Sequence, residues 1–182
     1  MEYSLFTATQ LPEVKALFER TFTQSEGEAE GKTLGVLVDN LVNKTESDHL
    51  SGYCATDEST IAGCIFFSRL WVADNSTVFM LSPVAVLPEY QGKGVGQRLI
   101  HYGLDQMKSM NVDIVVTYGD PAYYSKSGFE QISVDLLQPP YPLSFPHGWQ
   151  AVPLTSQLVA SLSKISQGKS QCVEAFRDPA LW

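Results

Sequence analysis

Positive charge is scarce in this sequence: twelve Lys and Arg stand against twenty Asp and Glu, a formal net charge of −8. A nucleic-acid surface needs a basic face to neutralise phosphates, so the composition argues against that partner. Long apolar runs are missing as well. The longest, Ile61 to Phe67, is far short of the ~20 residues that span a bilayer, so no membrane partner is expected. Met1-Glu2-Tyr3-Ser4 has neither the basic start nor the apolar stretch of a secretory leader. Cysteine is sparse and unpatterned. Cys54, Cys64 and Cys172 are odd in number and show no Cys-x-x-Cys spacing. They read as reduced, packed thiols of a cytoplasmic protein, with no metal site built on them. Internal repeats and low-complexity linkers are absent too.

What is present is globular. The chain has 182 residues, 44 % hydrophobic and 18 % charged, which fits a single domain over 1–182 with a real core. Tyr3 to Phe6 suits a short first strand. A helix follows with Thr9 as its cap and Pro12 in its first turn, burying Leu11, Val14, Leu17, Phe18 and Phe22. The acidic, glycine-broken stretch Ser25 to Gly31 reads as a loop, and Leu34 to Val42 as a second amphipathic helix. Gly52 to Thr56, Ile61 to Leu70 and Thr77 to Val86 make an antiparallel meander. A helix over Gly94 to Met110 and a strand over Asp113 to Tyr118 complete a βαβ unit, so its two strands are expected to lie parallel. Beyond Phe129 the pattern weakens. Phe129 to Val134 and Trp149 to Leu154 read as strands, Leu158 to Ile165 as a helix and Gln171 to Phe176 as a last strand. The proline-rich stretch from Gln138 to Gly148 reads as a stiff loop outside the sheet.

The stretch VAVLPEYQGKGVGQRLI, Val84 to Ile100, carries the chemistry. An apolar strand runs into three glycines spaced by two and then into a helix. Unpaired amides at the positive end of a helix dipole bind anions, and glycine lets a phosphate approach closely. Two familiar phosphate loops do not fit. The dinucleotide fingerprint needs a third glycine where Gln97 stands, and the P-loop needs Ser or Thr where Gly94 follows Lys93. The pattern Q-x-x-G-x-G does fit, across Gln91, Gly94 and Gly96.

With that loop the sequence resembles the GNAT superfamily of acetyl-CoA-dependent N-acetyltransferases. The likeness takes in strand Leu81-Ser82-Pro83-Val84-Ala85-Val86, the following helix, strand Ile114 to Tyr118 and the segment Tyr123-Tyr124-Ser125-Lys126-Ser127-Gly128-Phe129. It is strong over 61–129, while 135–182 is a less diagnostic C-terminal extension. The resemblance implies an α/β (α+β) fold: a mixed central sheet with an N-terminal antiparallel meander, splayed parallel strands at the cofactor site and flanking helices. It implies acetyl-CoA as co-substrate, no metal, and transfer of acetyl to a primary amine of a small molecule or peptide by direct attack. A homodimer is left open by the extended C-terminus.

Site residues follow from the same resemblance. Amides of Gln91, Gly92, Lys93, Gly94, Val95, Gly96 and Gln97 would surround the coenzyme's diphosphate, with Lys93 and Arg98 adding local positive charge. The backbones of Val84, Ala85 and Val86 would bond the pantetheine arm, and the Val84 amide would face the thioester oxygen. Pro83 cannot donate to a ladder, which favours a bulge or strand end there. Tyr124 is the residue implied to protonate the departing thiolate. Tyr123 reads as packing and Asp120 as the cap of a short helix starting at Pro121.

No base is assigned. Some family members carry a glutamate where this sequence has Met80, and that gap leaves a second reading, a non-catalytic acyl-CoA-binding or sensing module. Glu89, Glu28, Glu30 and His147 are the remaining groups to weigh. Acceptor identity is open as well. Glu26, Glu28 and Glu30, together with the Pro139 to Trp149 segment, would suit a small cationic amine.

Overall fold

The computed structural model describes residues 1–155 and 168–182; the helix expected over Leu158 to Ile165 falls outside them. The strands are β1 (Glu2–Leu5), β2 (Leu50–Asp57), β3 (Thr60–Trp71), β4 (Val78–Val86), β5 (Ile114–Tyr118), β6 (Glu130–Gln131), β7 (Trp149–Pro153) and β8 (Gln171–Cys172). Among the described residues the α-helices are α1 (Leu11–Glu26), α2 (Glu28–Lys44), α3 (Val95–Ser109) and α4 (Pro121–Tyr124). The sheet has eight strands in the order β1-β2-β3-β4-β5-β7-β6, with β8 on β3. Two compact units interleave along the chain: Met1–Phe67 with Pro83–Gly103, and Ser68–Ser82 with Leu104–Trp182.

In the first unit β1 pairs antiparallel with β2, from Glu2 opposite Thr56 to Leu5 opposite Tyr53. Only Glu58 and Ser59 separate β2 from β3. So short a link makes the pair antiparallel, because a parallel crossover needs a dozen residues or more. Glu58 takes a left-handed φ of 53° to make that turn. Helix α1 begins where Pro12 is tolerated and buries Val14, Leu17 and Phe18. Its N-cap is Gln10, and Thr9 lies instead in a preceding 3-10 turn over Ala8–Gln10.

The acidic stretch departs from the loop expected there. Gly27 alone breaks the chain, at φ 100°, and α2 already starts at Glu28. Glu28 and Glu30 fall in its first turn, where the helix dipole favours carboxylates. Gly31 and Gly35 face α1: a Cβ on Gly31 would lie 2.6 Å from the Glu19 carbonyl oxygen, and one on Gly35 would run into the Glu19 side chain. Two glycines one turn apart therefore let α2 seat directly on α1, which is why a sequence that looks broken is helical.

In the second unit β4 and β5 pair in parallel, with Val78 opposite Ile114 and Leu81 opposite Thr117. Strand β7 returns antiparallel on β5, and β6 on β7. β6 and β8 are much shorter than the sequence pattern suggested. After Cys172 the chain turns into a 3-10 helix at Glu174–Phe176. That turn serves a cluster in which Trp182 meets Trp149, Phe176 and Tyr141 at 6.2–6.3 Å between ring centroids. The indoles of Trp149 and Trp182 donate to the carbonyls of Leu137 and Phe176, both at 2.9 Å, so neither buried N–H is left unpaired. All three cysteines are free and buried. No helix among the described residues is long and apolar enough to cross a membrane.

Candidate active site

Strand β4 continues through Pro83 to Val86, but its ladder with β5 ends at the Leu81–Thr117 pair. The ladder therefore stops two residues before the proline, and the strand itself does not. At that last pair the Thr117 hydroxyl donates to the Leu81 carbonyl at 2.9 Å. Thr117 is fully buried in an otherwise apolar strand.

Beyond Pro83 the backbone alternates. The Leu87 amide donates to the Ala62 carbonyl of β3 at 2.8 Å. The Ala85 carbonyl lies on that same side, 3.1 Å from where a Cβ on Gly63 would sit. Alternation then turns the polar groups of Val84 and Val86 away from β3. The Val86 carbonyl is already used: Gln91 Nε2 donates to it at 2.9 Å and the Thr21 hydroxyl at 3.5 Å. Alternation thus leaves the amides of Val84 and Val86 and the Val84 carbonyl facing away from β3.

The glycine loop follows a 3-10 turn at Pro88–Tyr90. Gly92 and Gly94 adopt left-handed φ values of 71° and 74°, which accounts for glycine at both. The Gln91 amide donates to Pro88 and the Arg98 amide to Gly94. Between them, among the described residues, the amides of Gly92, Lys93, Gly94, Val95, Gly96 and Gln97 meet no protein acceptor. Gln91 thus differs from its neighbours, since both its amide and its side chain are spent on shaping the loop. Arg98 braces it from the other side, donating to the Lys93 carbonyl at 2.9 Å and to the Tyr3 hydroxyl at 3.1 Å. Lys93 holds its ammonium 5.6 Å from the Tyr90 ring centroid. Unpaired donors at the head of a fifteen-residue helix are an arrangement that can hold an anion.

In the second unit α4 is capped by Asp120, whose carboxylate accepts from the Ala122 amide at 2.8 Å. A 3-10 turn over Ser125–Ser127 follows it and ends at Gly128, with φ 87°. Tyr124 is half-buried, its ring edge-on to Tyr123 at 5.1 Å and to Phe129 at 5.8 Å. Burial pushes its phenol up to about 12; the Thr117 hydroxyl beside it works the other way, and Tyr123 and Asp120 add to the rise. Tyr123 is also raised by burial. Thr117 is the site residue that sequence reasoning passed over. A hydroxyl inside the run Ile114 to Tyr118 was the available signal.

Two of the carboxylates weighed as bases, Glu89 and Glu28, are otherwise engaged. Glu89 makes a paired contact with Arg20, at 3.0 and 3.1 Å. Its own backbone amide and then the guanidinium hold its carboxyl below the usual range. Glu28 is exposed and paired with Lys32 at 2.7 Å. Met80 is buried core. His147 lies 6.0 Å edge-on to Phe145. Among the described residues no cluster of His, Cys, Asp or Glu could hold a metal.

This fold and loop define a class of acyltransferases. The sequence matches the Acetyltransferase (GNAT) family over residues 11–129, and the chain belongs to that family. It is 35 % identical over 127 residues to the Escherichia coli K12 N-acetyltransferase YjhQ, covering 66 % of this chain and 70 % of that protein. It is 37 % identical over 122 residues to E. coli YhbS, covering 65 % and 67 %. The crystal structure of E. coli YhbS in complex with CoA aligns at TM-score 0.77 and 28 % identity, over 96 % of this chain and 91 % of that one. A Brucella melitensis GNAT acetyltransferase in complex with acetyl-CoA aligns at 0.72 over 96 % and 97 %; at 24 % identity it speaks for the fold alone.

Proposed function

We propose that this chain transfers an acetyl group from acetyl-CoA to a primary amine on a small molecule or peptide by direct attack. The observation that carries this reading is the run of unengaged amides from Gly92 to Gln97, which takes in two left-handed glycines and the first turn of α3. CoA bound to YhbS supports the choice of ligand.

The co-substrate supplies an activated thioester and a diphosphate. The loop amides hold the diphosphate, with Lys93 and Arg98 lending charge in an acidic protein. The free backbone groups of Val84 and the Val86 amide bond the pantetheine arm as a strand bonds a sheet edge, and the Val84 amide faces the oxygen on which negative charge grows. The acceptor attacks as the free amine. Tyr124 donates to the departing sulfur. A phenol at about 12 is a weaker acid than a thiol of about 8.5, so complete transfer from it alone is uphill by about 3.5 pH units, or ~5 kcal/mol. Its strength is therefore as a charge-assisted hydrogen-bond donor, and the proton shed by the attacking amine completes the balance.

The test is release of free CoA thiol when purified protein meets acetyl-CoA and a panel of amines. Tyr124→Phe is expected to lower kcat about 10- to 100-fold, the loss of one hydrogen bond to a charged group, with the KM for acetyl-CoA unchanged. Tight acetyl-CoA binding with no turnover across the panel overturns the transferase in favour of a binding module.

A further inference from the structure

Gly119 directly follows β5, and its backbone does not call for glycine: the glycines with positive φ are Gly27, Gly92, Gly94 and Gly128. The Tyr124 ring does call for it. A Cβ on residue 119 would lie 2.8 Å from Tyr124 Cε2, with Cδ2 and Cζ at 3.6 and 3.7 Å. The first distance is well inside the 3.5–4.0 Å at which carbon atoms pack. The ring edge therefore rests on a bare Cα.

The peptide beneath the ring is fastened on both sides. The Gly119 amide donates to the Gly148 carbonyl at 3.0 Å. Gln150 Nε2 donates to the carbonyls of Gly119 and Gly148, both at 3.2 Å. Gln150 stands on β7 opposite Thr117 and is fully buried, and its Oε1 has no hydrogen-bond partner among the described residues. An amide with one end unsatisfied in the interior is destabilising. Its presence there points to a use other than stability.

We propose that Gly119 and Gln150 are positioning residues for the Tyr124 phenol. Gln150 fixes the Gly119 peptide, and the missing side chain of Gly119 fixes where the ring lies beside Thr117. This rests on the reading of Tyr124 as the donor to sulfur. The ring is the free end of a rotatable side chain, so Gly119→Ala moves the ring rather than unfolding the protein.

Ionisation of the phenol, followed by NMR of ζ-carbon-labelled tyrosine and assigned by the signal lost in Tyr124→Phe, reports the ring independently of turnover. At pH 11 a phenol at about 12 is roughly one-tenth ionised. In Gly119→Ala, where the ring gives up burial, the ionised fraction is expected to rise several-fold. The kcat is expected to fall at least tenfold with the KM for acetyl-CoA unchanged, and Gly119→Ala is expected to add nothing on a Tyr124→Phe background. Gln150→Met keeps the volume and removes both donors and the unpaired oxygen. Its melting temperature is expected to hold while ionisation and kcat shift as in Gly119→Ala; a purely structural role would give the reverse. Unchanged ionisation in Gly119→Ala overturns the proposal. If ionisation shifts but Tyr124→Phe turns over like wild type, the positioning stands and the donor role of Tyr124 falls.

Discussion

Replacing Gly94 by glutamate separates charge from conformation at the loop. Any side chain there must adopt φ 74°, at a cost of about 1–2 kcal/mol. A Cβ at this position would also sit 3.0 Å from Arg98 Nη1, the movable end of a long side chain. Both penalties act on the free and the bound protein alike, so Gly94→Ala is expected to lower stability while keeping CoA affinity within about tenfold. Glutamate adds a charge facing the diphosphate. At roughly 4 Å and an effective dielectric constant of 20, each pair of unit charges repels by about 4 kcal/mol, or about a thousandfold in Kd. Whatever Arg98 does to neutralise the new carboxylate withdraws its own cation from the loop, so the two losses run the same way. Calorimetric titration with CoA measures the difference, and the loss should shrink as salt is raised. A Gly94→Glu protein that binds CoA within tenfold of wild type would refute the anion site.

At the α1–α2 contact, Gly31→Ala sets about 1 kcal/mol of gained helix propensity against overlap with the Glu19 backbone carbonyl, which no rotamer relieves. With overlap costing up to ~3 kcal/mol, a net loss of about 2 kcal/mol is expected in urea denaturation; equal stability would mean the helices do not approach as described. The Tyr124 phenol also links stability to alkaline pH. It ionises at about 12 in the folded chain against 10 in the unfolded one, so between those values the unfolded chain holds fewer protons and stability falls as pH rises. Tyr124→Phe is expected to make that fall shallower, with Tyr53, Tyr90, Tyr123, Cys64 and Cys172, all raised by burial, contributing to what remains. An unaltered slope would show that the phenol is not held neutral.

The βαβ unit was legible because its parts are local: an apolar strand, glycines where the backbone must go left-handed, and a periodic helix. The parallel pairing of β4 with β5 follows from that order alone. Asp120 could be read as a cap because the cue, an acid before Pro121, sits within two residues of its effect. The acidic stretch before α2 misled because Gly31 and Gly35 look like breakers in one dimension and become contact surface only once α1 lies against them. The same holds at the site. Thr117 acquires its role from Leu81 and Gln150 from Gly119 and Gly148, partners 36, 31 and 2 residues away in the chain. Gly119 is explained by a ring, not by a dihedral angle. None of these pairings has a sequence period. Strand β8 was overextended because Phe176 turns into the Trp149–Trp182 cluster instead of continuing the strand.

Arg98 joins the loop to the chain's first strand, with one nitrogen on the Lys93 carbonyl and another on the Tyr3 hydroxyl. The Tyr3 ring also stacks on Tyr102 of α3, at 5.7 Å between centroids. Whatever steadies residues 92–97 is therefore felt at an outer edge of the sheet, where β1 pairs with β2. By reciprocity, if the loop holds an anion as proposed, a loose β1 would weaken that hold by the same free energy. If the loop holds the diphosphate as proposed, the opening residues serve recognition through Arg98.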